Sequence, residues 1–196
     1  MAIRKILQLG DPGLREVRKQ EMTGLGAAKR LQPMSEVSYT RIDSPVGKLL
    51  LAADAQGLRL VSFESSKRAA PAQPDWMEDR SPFAEVIRQL QAYFSGELKQ
   101  FDLPLAPEGT EFQLRVWISL RTIPYGETMS YAQLAQKIGN PQAVRAVGLA
   151  NGCNPIPIIV PCHRVIGSNG RLTGFGGGLA NKKILLDLES RQLSLL

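Results

Sequence analysis

The scarcity of histidine and cysteine restricts this 196-residue chain more than any other feature. His163 is the single histidine, so no metal site built from several imidazoles can form, and any imidazole chemistry falls on that residue. Cys153 and Cys162 are too few for a disulfide framework, and in a reducing compartment both are expected as free thiols. No apolar run approaches the ~20 residues that a membrane-spanning helix needs. No charged-then-apolar leader with a small-residue cleavage site opens the chain. The expectation is a cytoplasmic protein without a membrane partner, monomeric by default.

A hydrophobic content of 43% and a charged content of 21% suit one folded domain or two small ones. The net charge of +6 favours a polyanionic partner such as nucleic acid. Part of that excess (Arg4, Lys5, Arg15, Arg18, Lys19, Lys29 and Arg30) lies in residues 1–36, which read as a leader of separate origin. The stretch MAIRKILQLGDPGLREVRK within it resembles the opening of peptide deformylases. Nothing downstream continues that resemblance, and a deformylase holds its metal with two histidines and a cysteine, so no such activity is expected. Met34, followed by SEVSYTRIDSPVG, reads as the beginning of a second protein.

From there the pattern predicts an α+β fold: a small antiparallel-sheet and helix domain over 37–103, then a mostly helical domain over 104–196. Val37 to Ile42, Lys48 to Ala53 and Leu58 to Phe63 read as strands joined by the turns SPVG and DAQG. Residues 65–80 read as a loop. Ser81-Pro82 supplies a cap and a first-turn proline for a helix with Phe83, Val86, Ile87, Leu90 and Phe94 on one face, and Gly96 ends it. Residues 97–109 read as a linker. Thr110 with Gln113, and Ser130 with Gln133, match capping boxes. Tyr131, Leu134, Ala135 and Ile138 have helical spacing, and Asn140-Pro141 restarts a helix directly after Gly139. Two helices joined by so short a turn fit a helix-turn-helix and equally a packed core pair. The second helix, QAVRAVGLANG, is narrow and carries Arg145 as its only charge, which suits a minor groove or close helix packing.

The strongest signal is NPIPIIVPCHRVIGSNG. Ile156 to Val160 reads as a buried strand-like run, which delivers Cys162 to the wall of a pocket. His163 and Arg164 beside it are expected to favour the nucleophilic thiolate.

PCHRV preceded by NP-x-P, with RAVG, GRLTGFGGGLANK and a glutamate late in the final helix, resembles the O6-alkylguanine-DNA alkyltransferases, also called methylated-DNA–protein-cysteine methyltransferases. The resemblance runs from about Val37 to the C-terminus. It implies a single-turnover transferase that moves an alkyl group from O6 of guanine in double-stranded DNA to Cys162, with O4 of thymine as a conceivable second target. It implies no cofactor, and two cysteines disfavour the zinc site that some relatives carry. By the resemblance, Cys162, His163 and Glu189 form a relay, Asn154 braces the histidine and its turn, and Tyr131 protonates the leaving guanine. Arg145 is the finger that replaces a base rotated out of the stack, on a DNA face with Tyr131, Ala143, Ala146 and Gly148. Val165, Phe175, Gly176 and Gly177, with backbone groups of Cys162, line the base pocket. Phe175 and Gly176 stand where many members have tyrosine and serine. A cysteine hydrolase and a non-catalytic DNA-binding protein are the competing classes.

Overall fold

Apolar runs on either side of the turns SPVG and DAQG fold as an antiparallel meander of β1 (Ser38–Ile42), β2 (Leu49–Asp54) and β3 (Gly57–Phe63). The computed structural model describes residues 36–193, so the leader and its deformylase-like stretch lie outside the described residues. Thr40 faces Leu51 across the first pair, and Leu51 faces Val61 across the second. A fourth strand, β4 (Met77–Glu78), runs parallel to β1 and completes the order β3-β2-β1-β4. The loop expected over 65–80 therefore contains a strand, but its two residues are exposed and too short to carry an alternating pattern.

The free edge of β3 is covered rather than open. Gly57 has φ +140°, and a Cβ there would lie 2.5 Å from the Pro104 carbonyl oxygen, so only glycine permits this approach. Leu58 N–H donates to Pro104 O at 2.9 Å, and Ala106 N–H returns to Leu58 O at 2.9 Å. Val61 N–H donates to Pro155 O, also at 2.9 Å. The expected linker thus caps one end of the edge, and the segment leading to Cys162 caps the other.

A 3₁₀ turn (Ser81–Phe83) leads into α1 (Ala84–Ser95), which Gly96 ends at φ +86°. Ser81 is not the cap expected of it. Asp79 Oδ1 instead accepts from Ser81 N–H at 2.8 Å and from its hydroxyl at 2.6 Å, so the serine side chain is drawn back as a donor to the carboxylate two residues before it. Phe83, Leu90 and Tyr93 of this region are 0–1% exposed. Each buried side chain of this size contributes about 1.5–3 kcal/mol.

Helices α2 (Glu111–Leu120) and α3 (Tyr131–Lys137) both begin with the expected reciprocal capping boxes. Asn140 makes no side-chain cap; Pro141–Ala143 form a 3₁₀ turn, and α4 (Val144–Gly152) begins one turn later than expected. Trp117 Nε1–H donates to Ala150 O at 2.8 Å and ties α2 to α4. Two short strands, β5 (Met129–Ser130) and β6 (Val165–Ile166), pair in parallel, and α5 (Leu179–Leu193) closes the described chain.

Ile156 to Val160 is buried as expected, at 0–5% exposure where apolar, but it is not a strand. Val160 N–H donates to Ile156 O at 2.9 Å, and Ile158 has φ +76°. Pro155, Pro157 and Pro161 remove the donors a ladder needs, so the run folds back as a turn. Among the described residues no helix is long and apolar enough to cross a membrane.

Candidate active site

Cys162, His163 and Arg164 form one 3₁₀ turn, directly after the proline-bounded turn and directly before β6. All three are buried, with Cys162 only 3% exposed. Burial pushes the Cys162 thiol up to about 11, while a hydrogen bond from the Asn154 side chain and the charge of Lys182 pull the other way. The resting group at neutral pH is therefore a thiol. The sequence led us to expect a thiolate favoured by both His163 and Arg164, but Arg164 is committed elsewhere.

Its partner is Glu189, on the buried face of α5. Arg164 Nη2 donates to Glu189 Oε1 at 2.9 Å and Nε to Oε2 at 2.9 Å, while Nη1 donates to Ile123 O at 2.7 Å. Glu189 also accepts from the Tyr93 hydroxyl at 2.7 Å, from Gly126 N–H at 3.0 Å and from His163 Nε2 at 2.9 Å. Burial alone would raise its carboxyl, but the hydrogen bond from His163 and the hydrogen bonds and charge of Arg164 outweigh that and hold it at about 2. Glu189 is accordingly a carboxylate at neutral pH.

An acceptor-only carboxylate fixes the tautomer of His163. Nε2 carries the proton, and Nδ1 is left with its lone pair. Burial holds the imidazole below its ordinary pKa, so it is neutral. Nδ1 is buried and has no hydrogen-bond partner. A neutral, oriented base with one open nitrogen thus sits on the residue next to Cys162.

Asn154 holds the cysteine's segment and not the histidine. Its Nδ2 donates to Val160 O at 2.8 Å, its Oδ1 accepts from Ile156 N–H at 3.0 Å, and it bonds the Cys162 side chain. The backbone of Cys162 is also less available than expected. Its N–H donates to Val160 O at 2.8 Å, and its carbonyl lies 3.4 Å from Asn151 Nδ2.

The glycine-rich segment packs on this turn. Phe175 is 9% exposed and meets Phe63 edge-on at 5.5 Å and His163 at 6.4 Å between ring centroids. A Cβ at Gly177 would lie 2.7 Å from the Phe63 ring, so that glycine serves the contact with β3. Gly176 O accepts from the Ser66 hydroxyl. Val165 is fully buried and offers its carbonyl to Lys182.

On α4, Arg145 and Ala146 are exposed and Gly148 is half-buried, as is Ala143 in the 3₁₀ turn just before it. The Tyr131 ring lies 3.8 Å from where a Gly148 Cβ would be, and its hydroxyl is 3.3 Å from Thr173 Oγ1. The structure therefore brings Tyr131, α4 and the glycine-rich segment together.

Sequence reasoning missed three participants and misplaced a fourth. Lys182 is fully buried, and its Nζ donates to Val165 O at 2.6 Å and Thr173 O at 2.7 Å, clamping both ends of the loop between them. Burial lowers its ammonium to about 8, with Cys162 opposing. The spacing of Lys182, Leu185 and Glu189 on one helical face was a usable signal. Tyr93 belongs to a helix whose other apolar residues disguise it. Arg164 was assigned to the wrong partner. Leu149 is 73% exposed beside Arg145 and gives α4 an apolar surface. Among the described residues no group of His, Cys, Asp and Glu is arranged for a metal ion.

Residues 37–107 match the 6-O-methylguanine DNA methyltransferase ribonuclease-like domain, and residues 111–191 match the 6-O-methylguanine DNA methyltransferase DNA-binding domain. The methylated-DNA–protein-cysteine methyltransferase of Methanosarcina acetivorans is 57% identical over 151 residues, 77% of this chain and 97% of the relative. That of Mycolicibacterium paratuberculosis is 52% identical over 158 residues, 79% of this chain and 93% of the relative. The solved structure of Mycobacterium tuberculosis OGT in complex with DNA is 52% identical, with a TM-score of 0.75 over 79% of this chain and 94% of that one. Its likeness extends to the mixed α+β architecture found here. With matches on both sides of the reactive turn and identity above one half across nearly the full length of its relatives, the chain belongs to the methylated-DNA–protein-cysteine methyltransferase family.

Proposed function

We propose that this protein repairs DNA by moving an alkyl group from O6 of guanine to Cys162, once per molecule. The observation that carries the reading is the open Nδ1 of His163, whose other nitrogen is pinned to the Glu189 carboxylate at 2.9 Å. His163 takes the thiol proton, directly or through a water. The sulfur attacks the alkyl carbon as the carbon–O6 bond breaks and its electron pair goes to guanine. Tyr131 supplies a proton to the departing base. The thioether has no ready displacement route, so the protein is spent. Arg145, with Tyr131, Ala143, Ala146 and Gly148, faces the duplex, and Arg145 fills the place of the rotated base. Phe175, Gly176, Gly177 and Val165 wall the base site. Residues 37–103 act as the scaffold and 104–196 as the DNA-binding, reactive half of a monomer that works on cytoplasmic DNA.

Mass spectrometry after mixing with a duplex containing O6-methylguanine tests this. One added methyl on Cys162, absent from Cys162→Ser, is the expected result. No adduct, or catalytic turnover without one, overturns it.

A further inference from the structure

Glu189 receives its hydrogen bonds from two sources. His163, Arg164 and Gly126 come from the same half of the chain as the nucleophile. Tyr93 does not: it projects from α1, in the half whose sequence carries no evident chemistry, and bonds Oε1 at 2.7 Å, the shortest contact the carboxylate makes. That oxygen is also the one that accepts from His163 Nε2. Tyr93 is fully buried among Phe94, Phe101 and Tyr125, with centroid separations of 5.3–6.0 Å. Phenylalanine would serve this aromatic cluster as well, so packing alone gives no reason for the hydroxyl. Burial and the neighbouring carboxylate hold its phenol above its ordinary pKa, which makes it a permanent donor.

We infer that Tyr93 is a positioning residue for alkyl transfer: its hydroxyl shares the negative charge of Glu189 Oε1 and holds that oxygen on the line to His163. The inference rests on the repair reading of the same site. Removing the hydroxyl leaves Oε1 one donor short. The carboxylate then interacts more strongly with the imidazolium form, so the His163 pKa rises, while the aim of the imidazole loosens. The charged groups that act on this titration are Glu189 and Lys182 on α5 and Arg164 on the reactive turn; Tyr93 on α1 reaches it through Glu189, Tyr125 packs on Arg164, and Cys162 precedes it in the same turn. Of these, Tyr93→Phe alters only one hydroxyl.

The single histidine makes the test direct, since the imidazole gives one set of NMR signals in the tag-free chain. Tyr93→Phe is expected to raise the midpoint of that titration, to move the rising limb of the transfer rate to higher pH, and to slow transfer about tenfold. DNA affinity stays unchanged. Phe94→Leu, which removes a ring from the same cluster, is the control: it lowers stability without moving either pH profile. An unshifted histidine titration with an unchanged rate in Tyr93→Phe overturns the inference while leaving the repair reading intact. A titration shift in a protein that never alkylates Cys162 overturns the repair reading and, with it, the catalytic meaning given to Tyr93. Equal shifts in Tyr93→Phe and Phe94→Leu assign the effect to packing and overturn the positioning role.

Discussion

His163 and Glu189 meet at 2.9 Å with both side chains fully buried, and the carboxylate decides which imidazole nitrogen is free to act. Replacing His163 by Gln removes the base, and transfer is expected to slow by about 10²–10⁴-fold, measured as single-turnover rates on alkylated duplex. DNA affinity, measured by fluorescence anisotropy, stays the same. An unchanged rate would reject the relay.

The same pair sets the acid stability. Glu189 titrates at about 2 in the folded protein against an ordinary 4.5, so its contribution is complete above about 4.5 and disappears as pH falls towards 2. His163 is held below its ordinary value, so its neutral form favours folding above about 6.5 and the protein weakens as pH drops below that. Both act in one direction. Urea midpoints are expected to fall from near pH 6.5 downward and again below about 4.5. Glu189→Gln leaves the buried guanidinium of Arg164 without its partner and should cost about 3–5 kcal/mol.

The two thiols differ in exposure. Cys153 is exposed, whereas Cys162 is buried with its thiol pushed up to about 11, so the thiolate is a minor species at pH 7. Iodoacetamide should therefore label Cys153 first in the native protein, and peptide mapping checks this. Alkylated DNA should nevertheless modify Cys162 alone, because only a bound base presents its alkyl carbon to the sulfur that the oriented imidazole serves. Faster labelling of Cys162 would mean a resting thiolate.

Arg145 is exposed at the start of α4, with Leu149 on the same face. Arg145→Ala should slow repair of duplex DNA roughly tenfold or more, since unstacking a base costs a few kcal/mol, and should leave reaction with free O6-benzylguanine nearly unchanged. Equal losses on both substrates would remove the finger role.

Lys182→Met keeps the length of a buried side chain but deletes two hydrogen bonds to Val165 O and Thr173 O. The expected loss is about 1–3 kcal/mol of stability, with faster hydrogen exchange confined to residues 165–173 and slower alkyl transfer. A uniform change in exchange across the protein would deny Lys182 its specific hold on this loop.

Local signals were legible wherever they had a short-range cause. The three long strands, both capping boxes and the αL glycine after α1 were all readable, because each rests on neighbours within a few positions. What was not legible depended on distant partners. Arg164 looked like an electrostatic aid to the cysteine two residues before it, yet Glu189, 25 residues on, captures it. Tyr93 looked like one more apolar side chain until its hydroxyl met Glu189, 96 residues on. Ile156 to Val160 has the composition of a strand, but the surrounding prolines deny it a partner. Ser81 does not cap the approach to α1, because the Asp79 carboxylate two residues back engages its N–H and its hydroxyl.

The pairing of β5 with β6 has a mechanical consequence. Ser130 is both the last residue of β5 and the cap of α3, and it sits opposite Ile166, four residues past the nucleophile. The first turn of the helix pair and the reactive turn are thus riveted to one short ladder. In the proposed repair complex, pressure from a duplex on that helix pair reaches the sulfur through a few peptide units, so docking and chemistry are stiffly geared to each other without a long relay between them.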